Sequence, residues 1–363
     1  MHVLHVITDL RTGGTERMLE RVCLGLRELG VTSSVLSLRT LGSIGQSLRA
    51  GGLEVETLDL PSLGFVFKLS KVWSFFQRAD IIQGWLYHGN TAATLGALLL
   101  RKQTPHVWNI RGSLDSYATA GMTSRALMYG DQWLSRWPQK IIYNSQRARR
   151  EHEAWGYETS RGVWIPNGFT IPELGTKTQR EWRRELGLPE DAYLVLAVGR
   201  LHPDKDYPMF LRALERLPAL NRPVVGVCVG RGLETLESRA HIRFIAEVSD
   251  LSPYYQSADM FALSSRTEAF PNVLGEAMAY SLPCVSTDVG DVSDLMGQRD
   301  WISPVGRDKE FSRLIHNVLS LSPDQRAALG AANRRRIEER FGISQILREY
   351  LRLYDELVVS CVG

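Results

Sequence analysis

Two kinds of segment alternate along the chain, short apolar runs and amphipathic stretches. Six apolar runs typical of buried strands lie at 2–7, 33–38, 80–85, 106–110, 140–144 and 162–165. Stretches with the apolar spacing of helices lie between them, at 16–29, 90–100 and 146–155. Because strands alternate with helices, the pattern predicts a parallel sheet with helices on both faces.

The pattern restarts after a segment rich in turn-forming residues. Pro166, Asn167, Gly168 and Pro172 indicate a linker near 167–178. Further apolar runs follow at 193–200, 223–230, 242–246, 260–263 and 283–286. A chain of 363 residues is long for one core, so we predict an α/β protein with two doubly wound domains. Such domains bind ligands at the carboxyl ends of their strands, which places a ligand in the cleft between them.

Composition and charge limit the classes of partner. The 44% hydrophobic and 23% charged content is that of an ordinary globular protein. Residues 1–170 carry 19 basic and 13 acidic side chains, whereas residues 171–363 carry 24 and 27. The first half, with a net charge of +6, is therefore expected to meet an anionic partner. The near balance over the whole chain gives no support for a nucleic-acid partner.

Cysteines and the N-terminal run bear on the compartment. The four cysteines are scattered and form no C-x-x-C, which favours buried thiols, a reducing compartment and no metal site. The first ten residues have the pattern of a strand and not of a signal peptide. We therefore expect a soluble protein of the cytoplasm, with a position at the inner face of the membrane as the alternative.

The most informative stretch is 264–283, in which Glu268 and Glu276 bracket a short uncharged segment. Pro271 suits a first helical turn, so we place Glu268 in a loop and Glu276 on the following helix. A helix N-terminus favours an anion, whereas two carboxylates suit hydroxyl groups. The stretch therefore predicts a ligand that is both anionic and rich in hydroxyls.

Two strand-to-helix turns add candidate phosphate sites. Gly13 and Gly14 follow the first strand, and paired glycines there let a phosphate approach the backbone. In the second half Gly199 ends a strand, and Arg200 and Lys205 follow it, a pair suited to a diphosphate. The D-x-D pattern around Lys205 is typical of metal-binding transferases. We do not expect a metal here, because a cation would displace Lys205.

Five elements occur in order along the chain: Gly13-Gly14, Ile165–Gly168, Gly199-Arg200 with Lys205, Gly230–Gly232, and the pair Glu268 and Glu276. Together they resemble family 4 of the retaining glycosyltransferases over essentially the whole chain. The resemblance implies the GT-B fold, in which two Rossmann-like domains face each other across a cleft. It implies an acceptor-side domain at 1–170, a nucleotide-sugar domain at 171–342, and a final helix at 343–363 that packs back on the first domain.

The resemblance also implies roles for individual residues. Glu276 would bind ribose hydroxyls, Glu268 the transferred sugar, and Arg200 with Lys205 the phosphates. Further donor-binding positions are Gly13, Gly14, Arg231, Val248, Phe270, Pro271, Asn272 and Val273. The partners implied are a nucleotide-sugar donor, with UDP as its nucleotide, and a glycan or lipid-linked acceptor of envelope polysaccharide synthesis. No metal and no further cofactor is implied.

One position departs from the family pattern. Many relatives carry a histidine after the fifth strand of the first domain, facing the donor sugar, and here that position is Arg111. The nearest histidine, His88, follows the fourth strand and is expected to point toward the cleft. We expect Arg111 to steady the donor phosphates or an anionic group on the sugar or acceptor, and His88 stays as the alternative for that role.

The chemistry expected is transfer with retention and no enzymic nucleophile, by front-face attack on the donor. Two other functions stay open: a nucleotide-sugar epimerase of the same fold, and a catalytically silent sugar-nucleotide-binding subunit. A nicotinamide dehydrogenase is disfavoured because neither domain has G-x-G-x-x-G.

A membrane contact is suggested by segment 64–78, which is both aromatic and basic. As an interfacial helix it would bury its aromatic rings in the bilayer and set its cations against anionic headgroups. The alternative is an ordinary amphipathic helix packed on the sheet.

Overall fold

The computed structural model describes residues 1–59, 69–100, 103–114 and 122–362. The chain forms two compact units. The first consists of Met1–Gly168 and Ile343–Gly363, and the second of Phe169–Gly342.

The first unit contains a parallel sheet of seven strands in the order β3-β2-β1-β4-β5-β6-β7. Its strands are β1 His2–Ile7, β2 Thr32–Ser37, β3 Glu54–Thr57, β4 Ile81–Trp85, β5 His106–Ile110, β6 Lys140–Tyr143 and β7 Gly162–Trp164. The helices between them are α1 Gly14–Glu28, α2 Gly42–Ala50, α3 Leu69–Arg78, α4 Leu86–Leu99, α5 Met122–Leu134 and α6 Gln146–Trp155.

Strand β1 shows why both faces of this sheet need helices. Val3 and Ile7 are buried in the apolar cluster on one face, together with residues of α1. Leu4 and Val6 point to the opposite face and are buried with residues of α3 and α4. Because side chains alternate along a strand, a strand with apolar residues on both faces is buried only between two helical layers.

The second unit contains six parallel strands in the order β10-β9-β8-β11-β12-β13. These are β8 Tyr193–Val198, β9 Val224–Val229, β10 Ile242–Ile245, β11 Met260–Leu263, β12 Cys284–Thr287 and β13 Ile302–Ser303. The helices are α7 Gln179–Glu185, α8 Tyr207–Glu215, α9 Ser252–Ser257, α10 Asn272–Ala279, α11 Val292–Met296, α12 Asp308–Ser320 and α13 Pro323–Arg340.

A last helix, α14 Ile343–Val362, returns to the first unit. It packs on α1, where a Cβ atom on Gly25 would lie 2.3 Å from Leu347 Cδ1, so the glycine permits the close approach. Its inward face is part of the core of the first unit, through Ile346, Leu347, Tyr350, Leu353, Tyr354 and Leu357.

The strands predicted from the apolar runs are confirmed, with ends shifted by one or two residues. Two strands were not predicted, β3 and β13, because the first is largely polar in sequence and the second is only two residues long. Helix α4 begins at Leu86, four residues before the predicted start, so His88 lies within the helix and not in a loop.

The segment 64–78 is described from residue 69 onward, and its first five residues lie outside the described part. In α3 the rings of Phe75 and Phe76 are buried against the sheet. Arg78 forms an ion pair with Glu54 at 2.8 Å. These three side chains follow the alternative, a helix packed on the sheet, and a membrane contact through the rest of the segment stays a prediction.

Three cysteines, Cys23, Cys228 and Cys284, are buried as predicted, and burial raises the pKa of each thiol. The side chain of Cys361 lies outside the described part. Among the described helices, none combines the length and the apolar character needed to cross a bilayer.

Candidate functional site

The second unit has its switch point between β8 and β11, the two central strands from which the strand order runs in opposite directions. In doubly wound sheets, ligands bind outside the carboxyl ends of the strands at this point. The loops that leave β8 and β11 carry the predicted cations and the carboxylate of Glu268.

The loop after β8 is held in a defined shape. It contains a short 3₁₀ turn, Pro203–Lys205, and then Asp206 in the left-handed region with φ of 43°. The Asp206 carboxylate caps α8 by accepting from the amide of Met209 at 3.2 Å. At the other end of the loop, the hydroxyl of Tyr207 donates to the carbonyl of Gly199 at 2.6 Å.

The loops after β8 and β11 are joined by several hydrogen bonds. The hydroxyl of Ser264 donates to the carbonyl of Lys205 at 2.8 Å. The amide of Arg266 donates to the carbonyl of Asp204 at 2.7 Å, and its guanidinium pairs with Asp206 at 2.7 Å. These bonds fix the two loops relative to each other, which favours a preorganised site.

Lys205 and Glu268 form an ion pair across the two loops. The Lys205 Nζ atom donates to Glu268 Oε1 at 2.5 Å, and the hydroxyl of Ser265 donates to the same oxygen at 2.8 Å. The side chains are 20% and 16% exposed. The structure thus brings two predicted site residues into direct contact and leaves both within reach of a ligand.

Helix α10 carries the second carboxylate. Pro271 is its N-cap, and Asn272 and Val273, both partly exposed, begin it. One turn further on, Glu276 Oε2 accepts a hydrogen bond from the hydroxyl of Tyr255 at 3.2 Å. Burial and the neighbouring Glu276 raise the pKa of Tyr255, so this hydroxyl stays protonated and orients the carboxylate.

Two glycines allow close backbone approaches around the site. Gly290, with φ of 51°, lies against the carbonyl of Ala269, which a Cβ atom would approach to 2.2 Å. Gly230 lies against the carbonyl of Gly199, where the corresponding distance would be 2.1 Å. Any other residue at either position would push the site loops apart.

The remaining predicted residues of the second unit are less closely gathered. Arg200 and Arg231 are exposed, and their loops meet through the bond from the amide of Leu201 to the carbonyl of Arg231 at 2.8 Å. Val248 is half-buried in the loop after β10. Among the described residues, none forms an ion pair with the guanidinium of Arg200, which leaves it available to a ligand.

Phe270 packs its ring in the core of the second unit. Its ring is buried between Phe169 and Phe341, with ring centroids 6.2 and 5.7 Å away. The predicted donor contact can therefore involve its backbone but not its ring.

In the first unit, Gly13 and Gly14 stand at the N-terminus of α1, Gly13 as the N-cap and Gly14 as the first helical residue. The carboxylate of Glu16 folds back over this turn, and a Cβ atom on Gly13 would lie 2.2 Å from Glu16 Oε2. Burial raises the pKa of Glu16, and the charge of Asp9 adds to the shift. A phosphate approaching these amides would meet this carboxylate.

Arg111 follows β5 and is buried. Its guanidinium donates to Asn109 Oδ1 at 3.0 Å, to the hydroxyl of Tyr350 at 3.3 Å and to Asn167 Oδ1. It also lies over the ring of Trp85, 5.2 Å from the centroid.

His88 lies in the first turn of α4, after the strand that pairs with β5. Its side chain is exposed, and desolvation together with the charge of Arg39 lowers its pKa. No contact joins it to Arg111 among the described residues, so the structure does not gather these two candidates into one cluster.

The D-x-D pattern is already engaged in other contacts. Asp204 lies 3.0 Å from the ring of His202, and Asp206 pairs with Arg266. Among the described residues, no group of three or more His, Cys, Asp or Glu side chains is arranged to hold a metal ion.

Several residues of the site were not predicted from the sequence. Glu16 stands three residues after Gly13, the spacing of a capping box, and could have been found from that signal. Tyr255, Gly290 and Tyr350 carry no local signal, because each acts through a contact with a residue distant in sequence.

Two family models match the chain. The model described as Glycosyltransferase Family 4 matches residues 12–171, and the model described as Glycosyl transferases group 1 matches residues 178–336. Together they span most of both units.

Among curated proteins, the D-inositol 3-phosphate glycosyltransferase of Geodermatophilus obscurus is 30% identical over 236 residues. The match covers 58% of this chain and 51% of that protein. The chain spans about half or less of the length of the curated relatives it matches.

Solved structures share the fold at low identity. Anabaena HepE, crystallised in complex with UDP and glucose, has a TM-score of 0.85 at 20% identity, covering 98% of this chain and 100% of HepE. WaaG, a glycosyltransferase involved in lipopolysaccharide biosynthesis, has a TM-score of 0.70 at 16% identity, covering 98% and 99%. These likenesses confirm the predicted GT-B fold.

Proposed function

This chain belongs to glycosyltransferase family 4, and we propose that it transfers a sugar from a nucleotide-diphosphate donor to a glycan or lipid-linked acceptor. One observation carries the proposal. Beyond the carboxyl ends of β8 and β11, the contact between Lys205 and Glu268 holds a cation and a carboxylate together. A second carboxylate, Glu276, is oriented by Tyr255 on the helix that follows. Such a donor needs a cation for its diphosphate and carboxylates for its hydroxyls.

The ion pair between Lys205 and Glu268 suggests how the free protein prepares for its donor. In the structure each group neutralises the other, so neither is buried as an uncompensated charge. A diphosphate would compete for Lys205, and the released Glu268 could then accept hydroxyls of the sugar. Donor binding therefore replaces the hydrogen bond between Lys205 and Glu268 by two others, one from Lys205 to the diphosphate and one from a sugar hydroxyl to Glu268.

Charge develops on the leaving diphosphate as the glycosidic bond breaks. Lys205, the exposed guanidinium of Arg200 and the amides at the start of α10 are the groups that would stabilise it. No metal is required in this proposal, because these groups supply the positive charge. Glu268 and Glu276 serve as binding groups, so the paired carboxylates of glycoside hydrolases do not apply. We propose retention by front-face attack, with a donor phosphate oxygen accepting the proton of the acceptor.

UDP is the proposed nucleotide of the donor, supported by the structural likeness to HepE, whose crystals contain UDP and glucose. We place the reaction in the cytoplasm, in the assembly of an envelope polysaccharide. A lipid-linked acceptor would bring the protein to the inner face of the membrane.

A panel of nucleotide-sugars tests the proposal. Thermal shift should single out one donor, and that donor should transfer its sugar to a glycan acceptor with the anomeric configuration retained. New sugar nucleotide formed without acceptor would indicate an epimerase. Binding without any turnover would indicate a silent sugar-nucleotide-binding subunit.

A further inference from the structure

The surroundings of Arg111 in the first unit are chemically unusual. The residue is only 8% exposed, and its described hydrogen-bond partners, Asn109, Asn167 and Tyr350, are all neutral. Within the described part of the chain no carboxylate forms an ion pair with it. The charge of one carboxylate, Glu16, acts on it without forming an ion pair.

A buried guanidinium without a counter-ion is costly, and arginine does not escape the cost by losing its proton. Burial lowers the pKa of Arg111, but an arginine starts from a value too high for neutralisation near pH 7. The three neutral partners satisfy some of its five N–H donors and cannot cancel its charge. An anionic group that arrived with a substrate would do so.

Tyr350 links this cation to a distant part of the sequence. It lies on α14, whereas Arg111 follows β5, so 239 residues separate them. The Tyr350 hydroxyl contacts both Arg111, at 3.3 Å, and the side-chain amide of Asn109, at 3.0 Å. Because the guanidinium is planar and binds anions through a fork of N–H groups, its orientation decides how well it receives one.

We infer that Arg111 receives an anionic group of a substrate, a phosphate or a carboxylate, and that Tyr350 is the positioning residue that fixes its guanidinium. This inference rests on the proposed function in taking the anion to belong to a sugar donor or to its acceptor. It gives the C-terminal helix a role in ligand binding, which the family resemblance did not imply.

The same helix offers a matched control. Tyr354 lies one turn further on, its ring centroid is 6.0 Å from that of Tyr350, and both side chains are fully buried. The hydroxyl of Tyr354 donates to Gln83, away from Arg111. Tyr350→Phe and Tyr354→Phe therefore each remove one buried hydroxyl. The first hydroxyl accepts from Asn109 and Arg111, whereas the second donates to Gln83 and does not touch the cation.

Steady-state kinetics of the full chain, measured with its best donor and acceptor, distinguish a positioning role of Tyr350 from a role in packing alone. We expect Tyr350→Phe to lower kcat/KM about tenfold and Tyr354→Phe to leave it within about twofold, although each variant loses a buried hydrogen-bonded hydroxyl and has a lower Tm. In an Arg111→Ala background Tyr350→Phe should add no further loss. Equal losses of kcat/KM in the two tyrosine variants would overturn the inference. A further tenfold loss when Tyr350→Phe is added to Arg111→Ala would also overturn it.

UDP binding and turnover with different acceptors show whether the donor or the acceptor carries the anion. If Arg111→Ala weakens UDP binding by calorimetry, the anion belongs to the donor. If UDP binding is unchanged while turnover falls only with a phosphorylated or carboxylated acceptor, the anion belongs to the acceptor. Both outcomes support an anion at Arg111, whereas unchanged UDP binding with equal losses for charged and neutral acceptors contradicts it.

A thermal-shift measurement needs no turnover, so it tests the inference independently of the proposed function. Inorganic phosphate should raise the Tm of the wild type and of Tyr354→Phe relative to chloride at equal ionic strength. The rise should be clearly smaller in Arg111→Ala and intermediate in Tyr350→Phe, and the part that remains belongs to the phosphate site at Arg200 and Lys205. This pattern would support the anion site even in a protein that transferred no sugar, and equal rises in all four proteins would overturn it.

Discussion

At the scale of single residues, Lys205 is the position where the structure adds most to the sequence. Its ion pair with Glu268 shows that the lysine is both restrained and reachable. We expect Lys205→Met, which keeps most of the side-chain volume, to lower kcat/KM by roughly 10- to 10²-fold, because a charge-assisted contact of roughly 1.5 to 3 kcal/mol would be lost in the transition state.

Arg212→Ala is the control for this prediction. Arg212 is also paired with a carboxylate, Asp308 at 3.2 Å, but lies outside the proposed site and is 46% exposed. Its replacement should leave kcat/KM unchanged. Full activity of Lys205→Met, with the far-UV spectrum of the wild type, would remove Lys205 from the site.

Glu276 permits a finer test, since its partner is known. Glu276→Gln keeps the shape of the side chain and removes the charge that would accept two ribose hydroxyls. The donor KM should rise more than kcat falls, as expected when binding is lost equally in the ground and transition states. Tyr255→Phe, which removes only the orienting hydroxyl, should raise the donor KM in the same direction but less. An unchanged donor KM in Glu276→Gln would make Glu276 a structural residue.

Local patterns were sufficient to place some residues on the right loop or helix, whereas the roles of these residues in binding stay predictions. Lys205, Glu268 and Glu276 stand close to helix starts and turns that the sequence reveals, and the structure places each beside a polar partner. Phe270 shows the limit, because an aromatic residue next to a ligand motif looks the same whether it faces a ligand or the core. Its burial between two other phenylalanines depends on residues about 100 and 70 positions away, which no local pattern shows.

At the scale of elements, two glycines within helices should respond oppositely to the same change. Gly330 lies in α13, where a Cβ atom would be 1.9 Å from the carbonyl oxygen of Ser281. Gly130 lies in α5, where a Cβ atom would have no described atom within 4 Å apart from its chain neighbours and the backbone of its own helix. Alanine forms helices better than glycine by about 1 kcal/mol, so propensity alone predicts stabilisation at both positions.

We expect Gly130→Ala to raise the free energy of unfolding by about 0.5 to 1 kcal/mol and Gly330→Ala to lower it by about 1 to 3 kcal/mol. The difference arises because the Gly330 clash is with backbone, which cannot rotate away. Urea unfolding of both variants measures the effect. Stabilisation by Gly330→Ala would show that α13 can move away from Ser281 at little cost.

The starts of two helices show which element boundaries a sequence pattern can predict and which it cannot. Helix α10 begins directly after Pro271, as the proline predicts. Helix α4 begins at Leu86 with a positive φ of 62°, immediately after β4, although no capping residue or proline marks the start. The packing of the sheet and the neighbouring helices imposes this turn, and it moves His88 from a loop into a helix.

At the scale of the whole molecule, Asp131 should make global stability depend on pH. Its carboxyl group is buried on α5, and its Oδ2 atom has no partner among the described residues. Its Oδ1 atom lies 2.5 Å from the hydroxyl of Thr91, which also reaches the carbonyl of Tyr87 at 3.0 Å. Burial raises the pKa of Asp131 from 3.8 to about 7. The protonated form can donate to Thr91 while Thr91 donates to Tyr87.

Because the pKa is raised in the folded state, this contribution to stability is complete below pH 3.8 and is lost as the pH rises to about 7. The slope is at most roughly 1.4 kcal/mol per pH unit. Asp131→Asn should lose this slope and melt at a higher temperature than the wild type above pH 7. Asp191→Asn, whose carboxylate is 92% exposed, should retain it. Superimposable Tm profiles for Asp131→Asn and the wild type would contradict the assignment.

The overall architecture could be predicted because it follows from alternating apolar runs and amphipathic stretches, a pattern that is local and repeated. The β3-β2-β1-β4 and β10-β9-β8-β11 orders could not be predicted from those runs, since strand pairing is settled by packing across the sheet. The contact of Tyr350 with Arg111 is the extreme case, because it joins the first and last parts of the chain.

The return of α14 to the first unit has a consequence for biosynthesis. A ribosome completes residue 168 well before it reaches Ile343, with the 174 residues of the second unit in between. At ~5 to 20 residues per second this interval lasts roughly 9 to 35 s. Throughout it, the apolar face of α1 that α14 will cover is exposed on a nascent chain. We expect the first unit to remain in a form that chaperones recognise until α14 has been synthesised, and the hydrogen bond between Arg111 and Tyr350 to form only then.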